Sequence, residues 1–392
     1  MKRVAILGST GSIGQNTLKV IAALNKEPVD SRGKTGGFRV VALSANSNSD
    51  ILLRQAKQFN PKWICLVQEA SAKRAAAKVS SRCRVLSKEE GLRDLIRHSN
   101  ADIVVLAISG ANALMPLIEC IKMKKRIILA NKEAMVIAGP MIMKLAKKHK
   151  VEILPVDSEQ SAIWQCLDGK EKKQLRKVYL TASGGPFKNH NPRQLRRISI
   201  RNVLKHPRWN MGRRISVDSA TLMNKGLEII EAMCLFGLDL SQIEIVIHPE
   251  AVIHSMVEFI DGVILAQIAI TDMRIPIQYA LTYPRRRPNK IRHLDFFKLR
   301  KMNFEKPNFK VFPCLGLAIE AAEKGATMPC VLNAADEIAV EAFLNRRINF
   351  TDIPGIIEQV MRRHKVITRP SLQDILDTDK WARKEAKILI NY

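Results

Sequence analysis

The chain has 392 residues, 46% hydrophobic and 26% charged, a composition typical of a globular protein with two or three domains. No apolar run approaches the roughly 20 residues of a membrane helix, and the N-terminal residues enter a strand pattern directly, so we expect neither a membrane partner nor a signal peptide. The net charge of +27 raises nucleic acid as a partner, but the basic residues are spread along the whole chain without a nucleic-acid-binding motif. A generally basic proteome, or the attraction of phosphorylated substrates, explains the charge more simply, and we expect no nucleic acid.

The first 150 residues alternate between strand and helix patterns. Strand patterns occupy 3–7, 38–45, 63–67, 102–107 and 126–130, and helix patterns occupy 12–25, 50–59, 70–79, 112–123 and 133–149. This alternation predicts βαβ units that form a parallel sheet with helices on both faces, a Rossmann-like domain over residues 1–152.

After residue 150 the pattern changes. Strand patterns at 151–156, 177–182, 243–247, 252–259 and 263–270 predict an open α+β sheet in a domain over 153–283, and Asp261-Gly262 predicts a hairpin between the last two strands. Residues 284–310, rich in Pro and Arg, are predicted to be a linker. Helix patterns at 315–324, 333–345, 352–364 and 371–390 predict a C-terminal helical domain over 311–392. The predicted fold class is therefore α/β, with Rossmann-like, α+β and helical domains in that order.

A glycine-rich turn, Gly8-Ser-Thr-Gly11-Ser-Ile-Gly14, joins the first strand to the first helix. A pyrophosphate needs backbone N–H groups close to it at a helix N-terminus, and glycine permits that approach. Strand, glycine turn and helix in this order predict dinucleotide binding; a tight turn without a ligand is the alternative.

The end of the second strand indicates which dinucleotide binds. An acidic residue there would hold the ribose of NAD, but this chain has Asn46-Ser47-Asn48. Asp50 is better explained as an N-cap or first-turn residue of the next helix. The tripeptide favours the 2′-phosphate of NADP, although it contains no Arg or Lys.

Two carboxylates, Asp157 and Glu159, follow the strand pattern at 151–156. If the extended conformation continues, they share one side while Ser158 lies on the other. Carboxylates so close repel each other unless a cation or a proton separates them, whereas a solvated strand end would carry both at little cost.

A helix predicted from Ser219 to Phe236 brings a third carboxylate. Its polar residues fall on one face, and a solvated helix face is the alternative reading; they are Thr221, Asn224, Lys225, Glu228 and Glu231. With Asp157 and Glu159, Glu228 makes a set of oxygen ligands that suits Mg²⁺ or Mn²⁺ better than zinc.

Other polar segments indicate a phosphorylated substrate. The turn Thr181-Ala-Ser183-Gly-Gly185 has the small residues of an anion-binding concavity. A Gly-Gly turn with a purely structural role is the alternative. With Ser219, Asn224 and Lys225, Ser183 is a candidate phosphate ligand. The segment Ala130-Asn-Lys-Glu133 lies at the carboxyl end of a predicted strand, where doubly wound sheets bind ligands. His254 and His248 are equally well explained as half-buried histidines, whereas His206 opens a loop that contains Trp209 and resembles a lid.

In this order the motifs resemble the 1-deoxy-D-xylulose 5-phosphate reductoisomerase family over essentially the full length. The matching segments are 8–14, 130–133, 155–159, 182–187, 206–212, 216–228, 248–257 and 332–337. The resemblance implies an enzyme that uses NADPH and a divalent metal (Mg²⁺, Mn²⁺ or Co²⁺) to convert 1-deoxy-D-xylulose 5-phosphate to 2-C-methyl-D-erythritol 4-phosphate, an isoprenoid precursor. By the same resemblance, the metal would act as a Lewis acid during the rearrangement and the nicotinamide would supply the hydride for the reduction.

The resemblance also implies roles for individual residues. Asp157, Glu159 and Glu228 match the metal ligands, Lys132 and Glu231 are candidate proton-transfer groups, and Trp209 and Met211 belong to the closing loop. The substrate contacts are Lys132, Ser158, Glu159, Ser183, His206, Ser219, Asn224, Lys225, Glu228 and His254. The cofactor contacts are Thr10, Gly11, Ser12, Ile13, Asn46, Ser47, Asn48, Asn131, Glu133 and Gly212.

Two departures from the family pattern matter. Gln160 stands where the family usually has histidine, and Asn46-Ser47-Asn48 replaces a more usual glycine and basic residue. The resemblance implies a homodimer, and seven scattered cysteines without a Cys-x-x-Cys pair favour a reducing, cytoplasmic location. A metal-free NADP-dependent dehydrogenase and a nucleic-acid-binding protein with a nucleotide fold are the competing hypotheses.

Overall fold

The structure is a computed structural model, and it describes residues 1–26, 37–204 and 212–391. The chain forms two compact units, both discontinuous in sequence. The first consists of Met1–Ala134, Met141–Asp157 and Asp272–Ile291; the second consists of Met135–Pro140, Ser158–Thr271 and the residues from Arg292 onward. The predicted boundaries at 152, 283 and 310 stay a prediction.

A seven-stranded sheet, parallel throughout, forms the centre of the first unit, with strand order β4-β3-β2-β1-β5-β6-β7. The strands are β1 (Lys2–Leu7), β2 (Phe38–Ala45), β3 (Trp63–Leu66), β4 (Arg84–Ser87), β5 (Ile103–Leu106), β6 (Arg126–Leu129) and β7 (Ile153–Pro155). The helices that alternate with them are α1 (Ser12–Leu24), α2 (Ser49–Phe59), α3 (Glu69–Ala76), α4 (Lys88–His98), α5 (Leu114–Lys122) and α6 (Glu133–His149). The Rossmann-like prediction is confirmed.

A four-stranded mixed sheet lies in the second unit, in the order β11-β10-β8-β9. Its strands are β8 (Leu175–Ala182), β9 (Ile243–Ile247), β10 (Ile253–Phe259) and β11 (Ile264–Ile268). The β10–β11 pair is antiparallel and confirms the hairpin at Asp261-Gly262.

Helices complete both units. They are α7 (Ser158–Leu167), α8 (Pro192–Leu195), α9 (Ile200–Val203), α10 (Arg213–Ala220), α11 (Met223–Phe236), α12 (Arg274–Thr282), α13 (Phe296–Leu299), α14 (Pro313–Lys324), α15 (Met328–Leu344), α16 (Ile353–Arg363) and α17 (Leu372–Ile390). In the second unit, α10, α11 and α14–α17 share one apolar core with the sheet. Helix α12 belongs to the first unit and packs on α1. Within the described ranges no helix has both the length and the apolar composition needed to cross a membrane.

The extended conformation predicted for Asp157–Glu159 is wrong, because helix α7 begins at Ser158. The strand before it is β7, which pairs with β6 and so completes the first sheet rather than starting the second. An acidic residue in the first turn of a helix interacts favourably with the helix dipole, and Glu159 occupies that position.

The single helix predicted from Ser219 to Phe236 is also wrong, because the chain breaks between α10 and α11. Leu222 has φ +57°, a left-handed conformation that ends α-helical hydrogen bonding. Thr221 Oγ1 accepts a hydrogen bond from Met223 N at 3.3 Å and so stabilises the start of α11. Thr221 therefore lies at the break and not on the polar face of α11.

Candidate active site

The glycine turn lies at the switch point of the first sheet, where β1 is flanked by β2 on one side and β5 on the other. Gly8 has φ +83°, and a Cβ at this position would lie 2.3 Å from the carbonyl oxygen of Ala107, just after β5. A Cβ on Gly14 would lie 2.4 Å from Gly8 O. Only glycine fits these two positions, so the turn is close to the neighbouring chain and opens directly into α1.

The predicted cofactor residues of this turn are accessible. Gly11 is the N-cap of α1 and is exposed with Ser12, while Thr10 and Ile13 are half-buried. Asn46, Ser47 and Asn48 are exposed after β2. Asn48 is also the N-cap of α2, because its side chain accepts a hydrogen bond from Ile51 N at 3.1 Å.

Asn131 and Glu133, by contrast, are buried and hold the loop after β5. The amide nitrogen of Asn131 donates to Ile108 O at 2.9 Å and to Gly110 O at 3.1 Å, and Glu133 Oε1 accepts from Gly110 N at 3.0 Å. These bonds shape the carboxyl edge of the sheet at the place predicted to face the cofactor.

Three carboxylates meet at the predicted metal site. One oxygen from each of Asp157, Glu159 and Glu228 lies within 4.8 Å of the others. Glu228 is 1% exposed, and the other two are half-buried. Such a group of acids requires compensating charge, because burial disfavours uncompensated carboxylates.

Lysine side chains supply that charge in the structure. Lys225, 3% exposed, forms ion pairs with Glu159 at 2.9 Å and with Glu228, and Lys132 Nζ lies 2.5 Å from Asp157 Oδ2. Burial lowers the pKa of the Lys225 ammonium, but the carboxylates of Glu159 and Glu228 outweigh burial and raise the pKa above its ordinary value. Lys225 is therefore a fixed positive charge at neutral pH.

Neutral polar groups complete the cluster. The Asn224 amide donates a hydrogen bond to Glu228 Oε1, and the Ser158 hydroxyl donates one to Glu159. Gln160, at the position where the family usually has histidine, is 0% exposed and donates to the backbone carbonyl of Glu228 at 2.9 Å. The amide at this position thus ties α7 to α11.

The serine turn after β8 approaches the end of α10. Gly185 has φ +65°, and a Cβ there would lie 2.8 Å from Ser219 O, so glycine permits the contact. Ser183 Oγ accepts a hydrogen bond from Gly185 N at 3.3 Å. The two serines predicted to bind phosphate, Ser183 and Ser219, are both half-buried in this region of the second unit.

His254 and Glu231 are buried rather than solvated. His254 lies on β10 with 7% exposure, and burial lowers the pKa of its imidazole to about 4, so the ring is neutral at pH 7. Glu231 follows Glu228 by one turn of α11 and is 2% exposed. The predicted residues His206, Trp209 and Met211 lie outside the described residues, whereas Gly212 is the exposed N-cap of α10.

Sequence reasoning missed a group of charged residues around α10. Arg214 and Asp218 lie one turn apart and approach Asp336 and Glu337 of α15. The i, i+4 spacing of the first pair was the available signal, but it is equally typical of an exposed helix face.

Fold and site together define a dinucleotide-binding α/β protein with a carboxylate cluster suited to a divalent cation. A 1-deoxy-D-xylulose 5-phosphate reductoisomerase from Ruminiclostridium cellulolyticum is 48% identical over 390 residues, 99% of each chain. The chain therefore belongs to the 1-deoxy-D-xylulose 5-phosphate reductoisomerase family. Residues 4–139 match the family model of that name, and 153–236 and 268–385 match its two C-terminal domain models.

Solved structures of the family have the same fold. The reductoisomerase from Zymomonas mobilis in complex with NADPH superposes with a TM-score of 0.90 at 38% identity, covering 99% of each chain. A crystal structure of DOX-P reductoisomerase in complex with NADPH, fosmidomycin and magnesium gives 0.91 at 40% identity, covering 100% of this chain and 98% of the other.

Proposed function

We propose that this protein is an NADPH-dependent reductoisomerase that converts 1-deoxy-D-xylulose 5-phosphate to 2-C-methyl-D-erythritol 4-phosphate in isoprenoid-precursor synthesis. The observation that carries the proposal is the convergence of Asp157, Glu159 and Glu228 within 4.8 Å in a chain of this family. Carboxylates at this separation form a site for a hard cation, which a simple dehydrogenase does not need.

NADPH binds along the glycine turn in this proposal. Gly11 and Ser12 are exposed at the N-terminus of α1; the backbone N–H of Ser12 is the donor for the pyrophosphate, whereas that of Gly11 donates to Gly8 O at 3.2 Å. Asn46, Ser47 and the amide nitrogen of Asn48 are the donors for the 2′-phosphate. Asn131 and Glu133 act by shaping the loop at 108–110 through the hydrogen bonds described above.

The carboxylate cluster fits a divalent metal. The three acids are held together by ammonium groups, and oxygen ligands of this type suit Mg²⁺; Mn²⁺ and Co²⁺ are further candidates. When bound, the metal supplies Lewis-acid polarisation of the substrate oxygens.

The remaining side chains bind and orient the sugar phosphate. The phosphate ligands are Ser183, Ser219, Asn224 and the permanently charged Lys225. Because the phosphate lies away from the bond that breaks, its binding energy can position the reacting part of the substrate. Neutral His254 donates or accepts a hydrogen bond without adding charge. Lys132 and Glu231 are the proposed proton-transfer groups, with Lys132 Nζ oriented by its ion pair with Asp157.

Incubation of the purified protein with 1-deoxy-D-xylulose 5-phosphate, NADPH and Mg²⁺ tests the function. We expect the absorbance of the reduced nicotinamide to fall as the substrate is converted. The rate should vanish with a chelator and return with Mg²⁺ or Mn²⁺, because the bound metal is the Lewis acid of the proposed reaction. A rate indifferent to the chelator would favour a metal-free dehydrogenase. Salt-sensitive retention of DNA or RNA without turnover would favour a nucleic-acid-binding protein.

We further propose a homodimer that forms through β11. This strand is at the edge of the second sheet, and three of its five residues are exposed large aliphatic side chains: Ile264 (49% exposed), Leu265 (39%) and Ile268 (37%). An edge strand with exposed apolar residues is a template for pairing with another chain, and a second copy gives a symmetric, closed interface.

Ile264→Lys is expected to convert the dimer to a monomer, because it places a charge in the proposed interface. Light scattering coupled to size-exclusion chromatography measures the mass. The control is Phe297→Lys, which adds the same charge at another exposed apolar residue (93% exposed) and should leave the mass unchanged. A dimer that survives Ile264→Lys, or a monomeric parent, would contradict this interface.

A cytoplasmic location is also part of the proposal. All seven cysteines are free thiols, and burial raises the pKa of Cys65 to about 12 and that of Cys166 to about 11. Free, buried thiols of this kind are typical of proteins in reducing compartments.

A further inference from the structure

A second buried group of charged residues, the α10–α15 cluster, lies in the second unit and takes no part in the proposed chemistry. It consists of Arg214 and Asp218 on α10 and Asp336 and Glu337 on α15. Asp336 is 0% exposed and Asp218 is 3% exposed. An ionised carboxylate in such a place is stable only with a positive charge close to it.

One guanidinium serves three carboxyl groups in this cluster. Arg214 Nη1 lies 2.8 Å from Glu337 Oε1, Nε lies 3.6 Å from Asp218 Oδ2, and Nη2 lies 3.9 Å from Asp336 Oδ2. The short contact belongs to Glu337, so Asp336 receives the weakest compensation of the three.

The second guanidinium does not help Asp336. Arg383 of α17 pairs with Glu337 at 2.8 Å and with Asp379 at 2.7 Å. Both arginines lower the pKa of Glu337, and this outweighs the effect of its burial. Four carboxyl groups thus face two guanidinium groups, and Asp336 is the acid with the least positive charge near it.

Other neighbours of Asp336 do not change the balance. Burial raises the pKa of the Cys314 thiol on α14, so this group is neutral, and Asn333 uses its amide oxygen to accept from Arg214 Nη2 at 3.4 Å. Burial, and then the Asp218 carboxylate, raise the pKa of Asp336 well above its ordinary value. Among the described residues neither oxygen of the buried Asp336 carboxyl has a hydrogen-bond partner, and Asp336 and Asp218 approach the same guanidinium, that of Arg214. Two carboxyl groups can hydrogen-bond to each other only when one of them carries a proton.

We propose that Asp336 is a protonated acid that donates a hydrogen bond to the Asp218 carboxylate and thereby fixes the end of α10, where Ser219 follows directly. Asp336 is thus a positioning residue: it does not touch the substrate but holds the helix that carries the proposed phosphate ligand Ser219. The role assigned to Ser219 rests on the proposed function, whereas the proton on Asp336 does not.

Two variants of Asp336 test whether the hydrogen-bond donor at this position matters. Asp336→Asn keeps the shape and a permanent donor, so we expect kcat, and KM for the sugar phosphate, within about twofold of the parent. Asp336→Ala removes the donor, and we expect KM for the sugar phosphate to rise about tenfold while kcat and the Kd of NADPH change little. Glu341→Gln, on the exposed face of the same helix, is the control and should match the parent.

The pH dependence of unfolding tests the proton without any substrate. A folded-state pKa above the ordinary 3.8 contributes stability that is fully present below 3.8 and is lost as the pH rises through the raised value. The free energy of unfolding of the parent, measured with urea, should therefore fall relative to that of Asp336→Asn as the pH rises from about 5 to about 9.

Parallel pH curves for the parent and Asp336→Asn would overturn the proposal, as would an Asn variant with the same loss of substrate affinity as the Ala variant. If Asp336→Ala does not fold, the pH dependence of the free energy of unfolding of Asp336→Asn and of the parent still tests whether Asp336 carries a proton. A parent without turnover would refute the proposed function, and the unfolding curves would still test the proton.

Discussion

Glu228→Gln is expected to lower kcat by about 10³-fold or more, equivalent to about 4 kcal/mol of transition-state stabilisation, while the Kd of NADPH changes less than about twofold. The substitution keeps the volume of the side chain and an oxygen that accepts the hydrogen bond from Asn224. It removes the one negative charge of the cluster that comes from α11. Two carboxylates remain for the metal, and Lys225 keeps only its pair with Glu159. NADPH titration by fluorescence, set beside the nicotinamide assay, measures both quantities.

Loss of a buried carboxylate can also destabilise a protein, so a matched control is required. Glu258 on β10 is 7% exposed and accepts from Tyr179 Oη at 2.7 Å and from Arg176 at 2.5 Å, apart from the carboxylate cluster. Glu258→Gln should lower thermal stability but keep turnover close to that of the parent. Retained turnover in Glu228→Gln would remove this residue from the metal site, and equal losses in both variants would assign the effect to stability.

Much of the fold followed from patterns that tertiary contacts reinforce. The turn Gly8–Gly14 was predictable because its backbone geometry admits only glycine at both ends. The hairpin at Asp261-Gly262 was predictable because its turn chemistry is local. The sheet strands β1, β2 and β5 are almost wholly buried and read as apolar runs.

Other elements were missed for identifiable physical reasons. Strand β4 has four residues at the sheet edge and none is fully buried, so it carries no clear apolar pattern. Helix α12 contains Pro276, which is typical of a break but lies in the first turn, where the missing N–H costs nothing. The left-handed Leu222 that divides α10 from α11 has no signal in residue type, because left-handed positions favour glycine or asparagine.

The candidate site was predictable in its residue types but not in its pairings. Periodicity placed Asn224, Lys225 and Glu228 on one helix face, and the structure brings Glu228 to Asp157 and Glu159. That Lys225 lies between two of the carboxylates depends on the contact of α7 with α11, which are about 60 residues apart in the sequence. Such contacts between distant segments cannot be inferred from spacing along one element.

Gly8→Ala is expected to lower the free energy of unfolding by about 3 kcal/mol or more and to weaken NADPH binding by about 100-fold. An alanine Cβ would lie 2.3 Å from the Ala107 carbonyl oxygen, and the φ of +83° is itself unfavourable for an L side chain. The neighbour is backbone at the end of β5, which cannot yield without disturbing the sheet, so the turn must move and the N–H groups at the start of α1 move with it. Urea unfolding and fluorescence titration of NADPH measure the two effects.

Gly11→Ala in the same turn is the matched comparison. Gly11 has φ −74°, and the nearest atom to an added Cβ is Gly8 O at 3.4 Å, so the folded state accepts alanine with little strain. Its free energy of unfolding should stay within about 1 kcal/mol of the parent, whatever happens to cofactor affinity at this exposed position. The contrast isolates steric demand from glycine content, because both variants remove one glycine from the same seven residues. If Gly8→Ala unfolds at the same urea concentration as Gly11→Ala, the close approach of β1 and β5 does not constrain the turn, and glycine at position 8 must be explained by the cofactor alone.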